Sequence, residues 1–76
     1  MKEILETLIK SLVENKEDVK ITEKEEANST VFEVSVNPSD MGKVIGRQGK
    51  VAKSIRTIMK SISGKEHKKV VVEFID

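Results

Sequence analysis

The succession of hydrophobic periodicities along the chain constrains its fold more than any other feature. Residues 2–15 follow helical spacing and form one apolar stripe, made of Ile4, Leu5, Leu8, Ile9, Leu12 and Val13. Residues 18–25 and 30–37 instead alternate apolar and polar side chains, which is typical of half-buried strands. The polar segment Ala27-Asn28-Ser29 separates these two strands, so they are predicted to form a hairpin.

The second half of the chain opens with a stop signal and then returns to helical spacing. In Asn37-Pro38-Ser39-Asp40 the proline cannot continue a strand, and the serine or aspartate is predicted to cap a short helix at about 40–45. Residues 69–75 are predicted to form the last strand. A longer helix is predicted at 50–62, closed by Gly64, with a buried face of Val51, Ile55, Ile58, Met59 and Ile62.

The resulting order, α-β-β-α-α-β, predicts an α+β fold. The hairpin makes the first two strands antiparallel, and the right-handed helical crossover makes the second and third strands parallel neighbours. Three helices are then expected on one face of a three-stranded mixed sheet. The other face is predicted to carry Val31, Val71 and Ile75 among polar residues, an apolar surplus that suits a contact with another chain.

Length and composition exclude several classes of protein. A chain of 76 residues supports one thin core, so residues 1–76 are expected to form a single domain. The absence of cysteine excludes disulfides and thiolate chemistry, and one histidine does not build a metal cluster. No apolar run reaches the roughly 20 residues of a membrane span. We therefore expect a soluble cytoplasmic module with no cofactor, no metal, no membrane contact and no small-molecule substrate.

The net charge of +1 hides a division between the two halves of the chain. Residues 1–38 hold five lysines and nine acidic residues, a balance of −4. Residues 39–76 hold nine lysines or arginines and four acidic residues, a balance of +5. Clustered positive charge neutralises phosphates and releases counterions, so the second half is the candidate partner of a polyanion.

The segment Gly46-Arg47-Gln48-Gly49 interrupts the two helical patterns of the second half. Two glycines three residues apart allow a tight turn without side chains at its corners. Unsatisfied N–H groups at the start of the next helix attract an anion, and Arg47 and Lys50 add positive charge there. Val44 and Ile45 place apolar side chains beside the turn. The combination predicts a clamp for a sugar–phosphate backbone next to an apolar groove for bases.

Better-known phosphate loops do not fit this segment. A Walker A loop needs glycine where Val44 stands, and serine or threonine where Val51 stands. A G-x-x-G sequence also occurs as an ordinary turn between two helices, so a purely structural turn remains an alternative at this point.

The segment Val44-Ile45-Gly46-Arg47-Gln48-Gly49-Lys50-Val51, followed by Ile55, resembles the signature of the KH domain, and the element order resembles its type II form. The G-x-x-G loop of KH domains clamps about four nucleotides of a single strand. A single small KH domain is similar to the bacterial KhpA (YlqC) family of RNA-binding proteins. The resemblance implies a non-catalytic binder of single-stranded RNA, a post-transcriptional regulator or RNA chaperone. It also implies a homodimer, or a heterodimer with a larger KH-type partner such as KhpB.

The resemblance also assigns roles to individual residues. Gly46 and Gly49 shape the loop, Arg47 touches phosphate with Lys50 in support, and the segment 63–68 is the variable loop that borders the groove. The apolar floor, shared between base contact and core packing, is assigned to Val44, Ile45, Ala52 and Ile55. Far-side contacts are assigned to Lys65, Lys68 and Lys69. The candidate nucleic-acid-binding residues are Lys43, Val44, Ile45, Gly46, Arg47, Gln48, Gly49, Lys50 and Lys53.

Other conspicuous residues receive structural roles. Arg56 and Lys60 are predicted to lie on a solvated helix face, and Asp40 is predicted to cap a helix, because no second carboxylate or histidine is placed to act with it in catalysis. Phe32 and Phe74 are both predicted core residues, which leaves no aromatic platform for stacking bases. We predict no catalytic residue. Two alternatives remain: a protein-interaction module whose turn is only structural, and a binder of single-stranded DNA.

Overall fold

The computed structural model describes residues 1–63 and 69–75. The elements follow the predicted order α-β-β-α-α-β, which confirms the α+β class. Short 3-10 turns cover Lys16–Asp18, Pro38–Asp40 and Arg47–Gly49. Gly64 and residues 65–68, predicted to hold a helix end and the variable loop, lie outside the described residues. The helices and strands are α1 (Lys2–Leu12), β1 (Lys20–Glu25), β2 (Ser29–Ser35), α2 (Met41–Ile45), α3 (Lys50–Ile62) and β3 (Lys69–Ile75).

The three strands form one mixed sheet in the order β1-β2-β3. β1 pairs antiparallel with β2, with Ile21 opposite Val34, and β2 pairs parallel with β3, with Phe32 opposite Val72. Both predicted pairings are confirmed. β2 is the central strand, so each outer strand keeps one free edge, and β3 presents its edge beside α3.

The core lies between the sheet and the three helices. Alternate residues of β2 are buried, and Phe32 and Val34 have no solvent exposure at all. Each helix contributes fully buried side chains to the same cluster: Leu5 and Ile9 from α1, Val44 from α2 and Met59 from α3. Burying a side chain of this size stabilises the fold by about 1.5–3 kcal/mol relative to leaving it in water. The core therefore fixes α2 and α3 on the sheet.

Several predicted boundaries were wrong by two or three residues. α1 ends at Leu12 rather than at residue 15, because Val13 adopts an extended conformation with φ −102° and ψ 158°. The 3-10 turn Lys16–Asp18 delays β1 until Lys20, and β2 runs from Ser29 to Ser35 instead of over 30–37. The bounds of α3 and β3 agree with the prediction.

The predicted buried face of α3 was too wide. Ala52, Ile55 and Met59 are buried, whereas Ile58 is 42% exposed and Ile62 is 41% exposed. The same excess occurs on α1, where Ile4 and Leu12 are exposed. Each helix contacts the small sheet along a narrow line, so the margins of both apolar stripes remain in contact with water.

We expect the two isoleucines of α3 to differ sharply on truncation. Ile55→Ala removes a side chain that is 3% exposed, and we expect it to lower the free energy of unfolding by about 2–5 kcal/mol. Ile58→Ala removes an exposed side chain and should cost less than about 1 kcal/mol. Urea unfolding followed by circular dichroism measures both. Equal losses, or a larger loss for Ile58→Ala, would contradict the burial described for α3.

Candidate nucleic-acid interface

The turn between α2 and α3 depends on backbone conformations that side chains disfavour. Gly46 has φ 76° and Gly49 has φ 74°, both in the range that glycine adopts at little cost. Gln48 also has a positive φ, 58°, although it carries a side chain. A left-handed residue of this kind costs about 1–2 kcal/mol. The turn is therefore a strained tip held between two helices.

The two glycines serve different purposes. A Cβ at Gly46 would clash with the Val51 side chain and would lie 2.9 Å from the Val51 backbone nitrogen. A Cβ at Gly49 would meet nothing within 4 Å. Gly46 thus allows the backbone to approach α3 closely, whereas Gly49 is needed only for its left-handed conformation.

Uncompensated positive charge surrounds the tip. Arg47, Lys50 and Lys53 are all exposed, and none of them forms an ion pair within the described ranges 1–63 and 69–75. The start of α3 has no side-chain cap at Gly49, and the helix dipole adds to the positive potential there. The arrangement suits an anion that approaches from solvent.

An open groove of about 310 Å³ continues from this charged region along α3. One wall is the outer side of α3, and the other is the free edge of β3. The described lining contains four basic side chains and no acidic one. Its residues are Lys53, Arg56, Thr57, Lys60, Lys69, Val70, Val71 and Val72.

Arg56 lies on the exposed face of α3, as predicted, but its side chain also makes contacts within the protein. Its Nε donates a hydrogen bond of 3.1 Å to the backbone oxygen of Val72 at the free edge of β3. Its guanidinium carbon also lies 5.7 Å from the centre of the Phe74 ring, within range of a cation–π interaction. The helical pattern placed Arg56 away from the core but could not show that an open strand edge lies beside it. Arg56 and Lys60 therefore belong to the groove that the sequence analysis missed.

The residues of the predicted apolar floor lie mainly in the core. Val44 is fully buried, and Ala52 and Ile55 are each 3% exposed. These three side chains therefore provide the core packing that was predicted for them. Ile45 is only partly buried against the core, so it alone of the four stays accessible beside the turn.

Asp40 occupies the N-cap position of α2, as predicted, but its side chain makes no capping hydrogen bond. Asn37 caps the 3-10 turn instead, by accepting a hydrogen bond of 2.9 Å from the Ser39 N–H. The Asp40 carboxylate is 1% exposed and accepts bonds from the backbone N–H groups of Glu14 (3.2 Å) and Asn15 (3.0 Å). Burial raises the pKa of Asp40, but the hydrogen bonds from Asn15 and Glu14 outweigh burial and lower it to about 2. The group is therefore ionised at neutral pH.

Lys43 stands apart from the other basic residues near the turn. Its Nζ lies 2.8 Å from Glu14 Oε1 and 3.3 Å from Asp40 Oδ1. The hydrogen bond that Lys43 donates to the Glu14 carboxylate is the main cause that raises the pKa of Lys43. Lys43 thus has two carboxylate partners, whereas Arg47, Lys50 and Lys53 have none in the described part of the chain.

The described residues, 1–63 and 69–75, offer few other kinds of site. They contain no group of three or more histidine, cysteine, aspartate or glutamate side chains placed to hold a metal ion. They also contain no helix that is both long enough and apolar enough to cross a membrane.

The fold and the turn together define a class of protein. Three helices on a three-stranded mixed sheet, in the order α-β-β-α-α-β and with a G-x-x-G turn between α2 and α3, form a type II KH domain. A family model described as "KhpA/KhpB, KH domain" matches residues 2–74. The chain belongs to this KhpA/KhpB family.

Curated relatives cover the chain from end to end. A protein of Clostridium perfringens is 53% identical over 99% of this chain and 100% of its own length. One from Clostridium acetobutylicum is 51% identical with the same coverage, and one from Aquifex aeolicus is 43% identical over 100% of this chain and 96% of its own. Each of the three is named "RNA-binding protein KhpA". No solved structure gives a significant match.

Alanine at the two glycines of the turn should separate their roles. Gly46→Ala combines a positive φ with a backbone clash, and we expect it to cost about 2 kcal/mol or more in the free energy of unfolding. Gly49→Ala meets open space and should cost about 1 kcal/mol. Urea unfolding at neutral pH gives both values. Equal losses would show that the turn does not depend on the close approach to Val51.

Proposed function

We propose that this protein binds single-stranded RNA without catalysis, through the Gly46–Gly49 turn and the groove between α3 and β3. The observation that carries the proposal is the exposed tip, where Arg47 and Lys50 form no ion pair in the described structure. Lys50 lies one helical turn before Lys53, at which the basic groove begins. Membership of the KhpA/KhpB family and the names of the curated relatives support RNA as the polyanion.

The turn acts as the phosphate clamp. The helix dipole favours negative charge at the start of α3, beside the turn. Arg47 is suited to a bidentate contact with one phosphate, and Lys50 adds a second cation one turn along. Since these charges have no carboxylate partner among residues 1–63 and 69–75, a phosphate replaces water and counterions there.

The groove receives the nucleotides that follow the clamp. Lys53, Arg56, Lys60 and Lys69 line it, and the free edge of β3 offers backbone N–H and C=O groups. Both phenylalanines pack against the core, Phe32 fully and Phe74 partly, so stacking contributes little. Bases are then held by hydrogen bonds and by aliphatic contacts, including Ile45 beside the turn.

The proposal includes no catalytic step and no cofactor, because a phosphate clamp and a groove act by binding alone. Binding of this kind suits a post-transcriptional regulator or an RNA chaperone. Such a protein would act in the cytoplasm, where it would encounter its RNA. A groove that spans about four nucleotides gives modest affinity, so a second binding site raises it through effective concentration.

A second copy of this chain, or a larger KH-type partner such as KhpB, would supply that second site. The sheet face opposite the helices is one candidate contact. Ile75 is 41% exposed there, Val31 and Val71 are partly exposed neighbours in register, and Lys24 and Glu33 form an ion pair of 3.0 Å beside them.

The double substitution Arg47→Asp, Gln48→Asp tests the clamp. We expect it to abolish binding of a labelled single-stranded RNA, measured by fluorescence anisotropy. The wild-type protein should bind this RNA, with an affinity that falls as salt is added. Each neutralised phosphate contributes a slope of about −0.7 in log affinity against log salt. The matched control is Lys20→Asp, Ala27→Asp, which makes the same change of net charge at exposed positions far along the chain. We expect this control to retain binding.

Two outcomes would favour the rival functions. If wild type and the turn variant behave alike while both are folded by circular dichroism, the turn is only structural and a protein partner becomes the better hypothesis. If an unlabelled DNA oligonucleotide of matched sequence competes as well as RNA does, the site does not distinguish the two nucleic acids.

A further inference from the structure

The buried carboxylate of Asp40 is the centre of a group of hydrogen bonds just before α2. It is 1% exposed and accepts four hydrogen bonds. Two donors are the backbone N–H groups of Glu14 and Asn15, the third is Asn15 Nδ2 at 3.0 Å, and the fourth is Lys43 Nζ at 3.3 Å. Hydrogen bonds to a buried charged group are among the stronger ones in proteins.

These contacts join two segments that are distant in sequence. Glu14 and Asn15 follow the end of α1, and Asp40 immediately precedes α2. α2 contains only five residues, and Gly46 comes directly after it. A helix this short has little stability of its own, so its direction is set by what it packs against. For α2 these anchors are the buried Val44 at one end and Asp40 at the other.

We propose that Asp40 and Lys43 are positioning residues for RNA binding: they fix α2 on the end of α1 and so set the direction in which the Gly46–Gly49 turn faces the phosphates. The inference rests on the proposed function and adds Asp40 and Lys43 to the residues on which RNA binding depends. Lys43 in this assignment acts inside the protein, through its ion pairs with Glu14 and Asp40, and not as a phosphate contact.

Electrostatics alone predicts the opposite effect for Asp40. A carboxylate near the turn repels phosphates, so its removal should tighten binding of RNA if the charge were all that mattered. A positioning role predicts weaker binding in spite of the gain of one positive charge. The direction of the change therefore separates the two explanations.

The main test is Asp40→Asn, which keeps the shape of the side chain but replaces one acceptor oxygen with a donor that faces N–H groups. The matched control is Asp18→Asn, since Asp18 is exposed, carries the same charge and accepts a 3.0 Å bond from Asn37 Nδ2. We expect Asp40→Asn to weaken RNA binding about fivefold or more, a typical coupling between distant sites. Asp18→Asn should bind as wild type or slightly better.

Nuclear magnetic resonance distinguishes positioning from general loss of stability. In a folded Asp40→Asn variant we expect the amide signals of Gly46, Arg47, Gln48 and Gly49 to shift and their hydrogen exchange to quicken, while those of β2 remain in place. Wild-type affinity together with unchanged turn amides would overturn the inference. If Asp40→Asn does not fold, Asn15→Ala removes one of the four bonds to Asp40, together with a 3.3 Å bond to Ser39 Oγ. Unchanged turn amides and affinity in that variant overturn the inference equally.

Lys43 has its own test. If Lys43 contacts a phosphate, Lys43→Gln should reduce the slope of log affinity against log salt by about 0.7, the value of one phosphate on a single strand. If Lys43 is a positioning residue, the substitution should lower the affinity and leave this slope unchanged. Lys50→Gln is the matched comparison and should reduce the slope.

If the Arg47→Asp, Gln48→Asp variant still binds RNA, the proposed function itself fails. If the turn variant loses binding but the Asp40 and Lys43 variants bind as wild type does, this inference alone fails.

Discussion

The close approach of the Gly46 backbone to Val51 is the constraint on which the site depends. No Cβ fits between them, so α2 and α3 meet at an angle that glycine alone permits. That angle leaves Arg47 and Gln48 at the tip of the turn, where Gln48 accepts a left-handed conformation. Because both side chains at the tip are exposed, they are accessible to a ligand. The chemistry of the clamp thus follows from a steric requirement at one residue.

The division of charge along the sequence becomes a division in space through the topology. The acidic first half supplies α1, β1 and β2, and the basic second half supplies α2, α3 and β3. The parallel pairing of β2 with β3 places β3 at an edge of the sheet beside α3, so basic residues of both elements line one groove. A low-dielectric groove with charge of one sign focuses its field on an approaching polyanion. Lys43 does not add to this field, because Glu14 and Asp40 neutralise its charge.

Sequence periodicity was sufficient to predict the order of the elements, the strand pairings and the bounds of α3 and β3. The turn was also predictable, since paired glycines and adjacent cations are local features of the chain. What could not be predicted depends on contacts between distant residues. Ile58 and Ile62 lie on an apolar stripe that is wider than the surface available to cover it. Arg56 bonds to a strand edge sixteen residues away, and Asp40 to backbone groups twenty-five and twenty-six residues away. No pattern within one helix or strand reports such partners.

Mapping RNA contact by nuclear magnetic resonance tests the account most directly. A short single-stranded RNA would be titrated into ¹⁵N-labelled protein, and amide shifts followed residue by residue. The account predicts the largest shifts at Gly46–Lys50, continuing along α3 and the edge of β3 at Val70 and Val72, with little change at the hairpin tip of residues 26–28. Shifts concentrated on Val31 and Val71 of the opposite sheet face, with the turn unaffected, would contradict it.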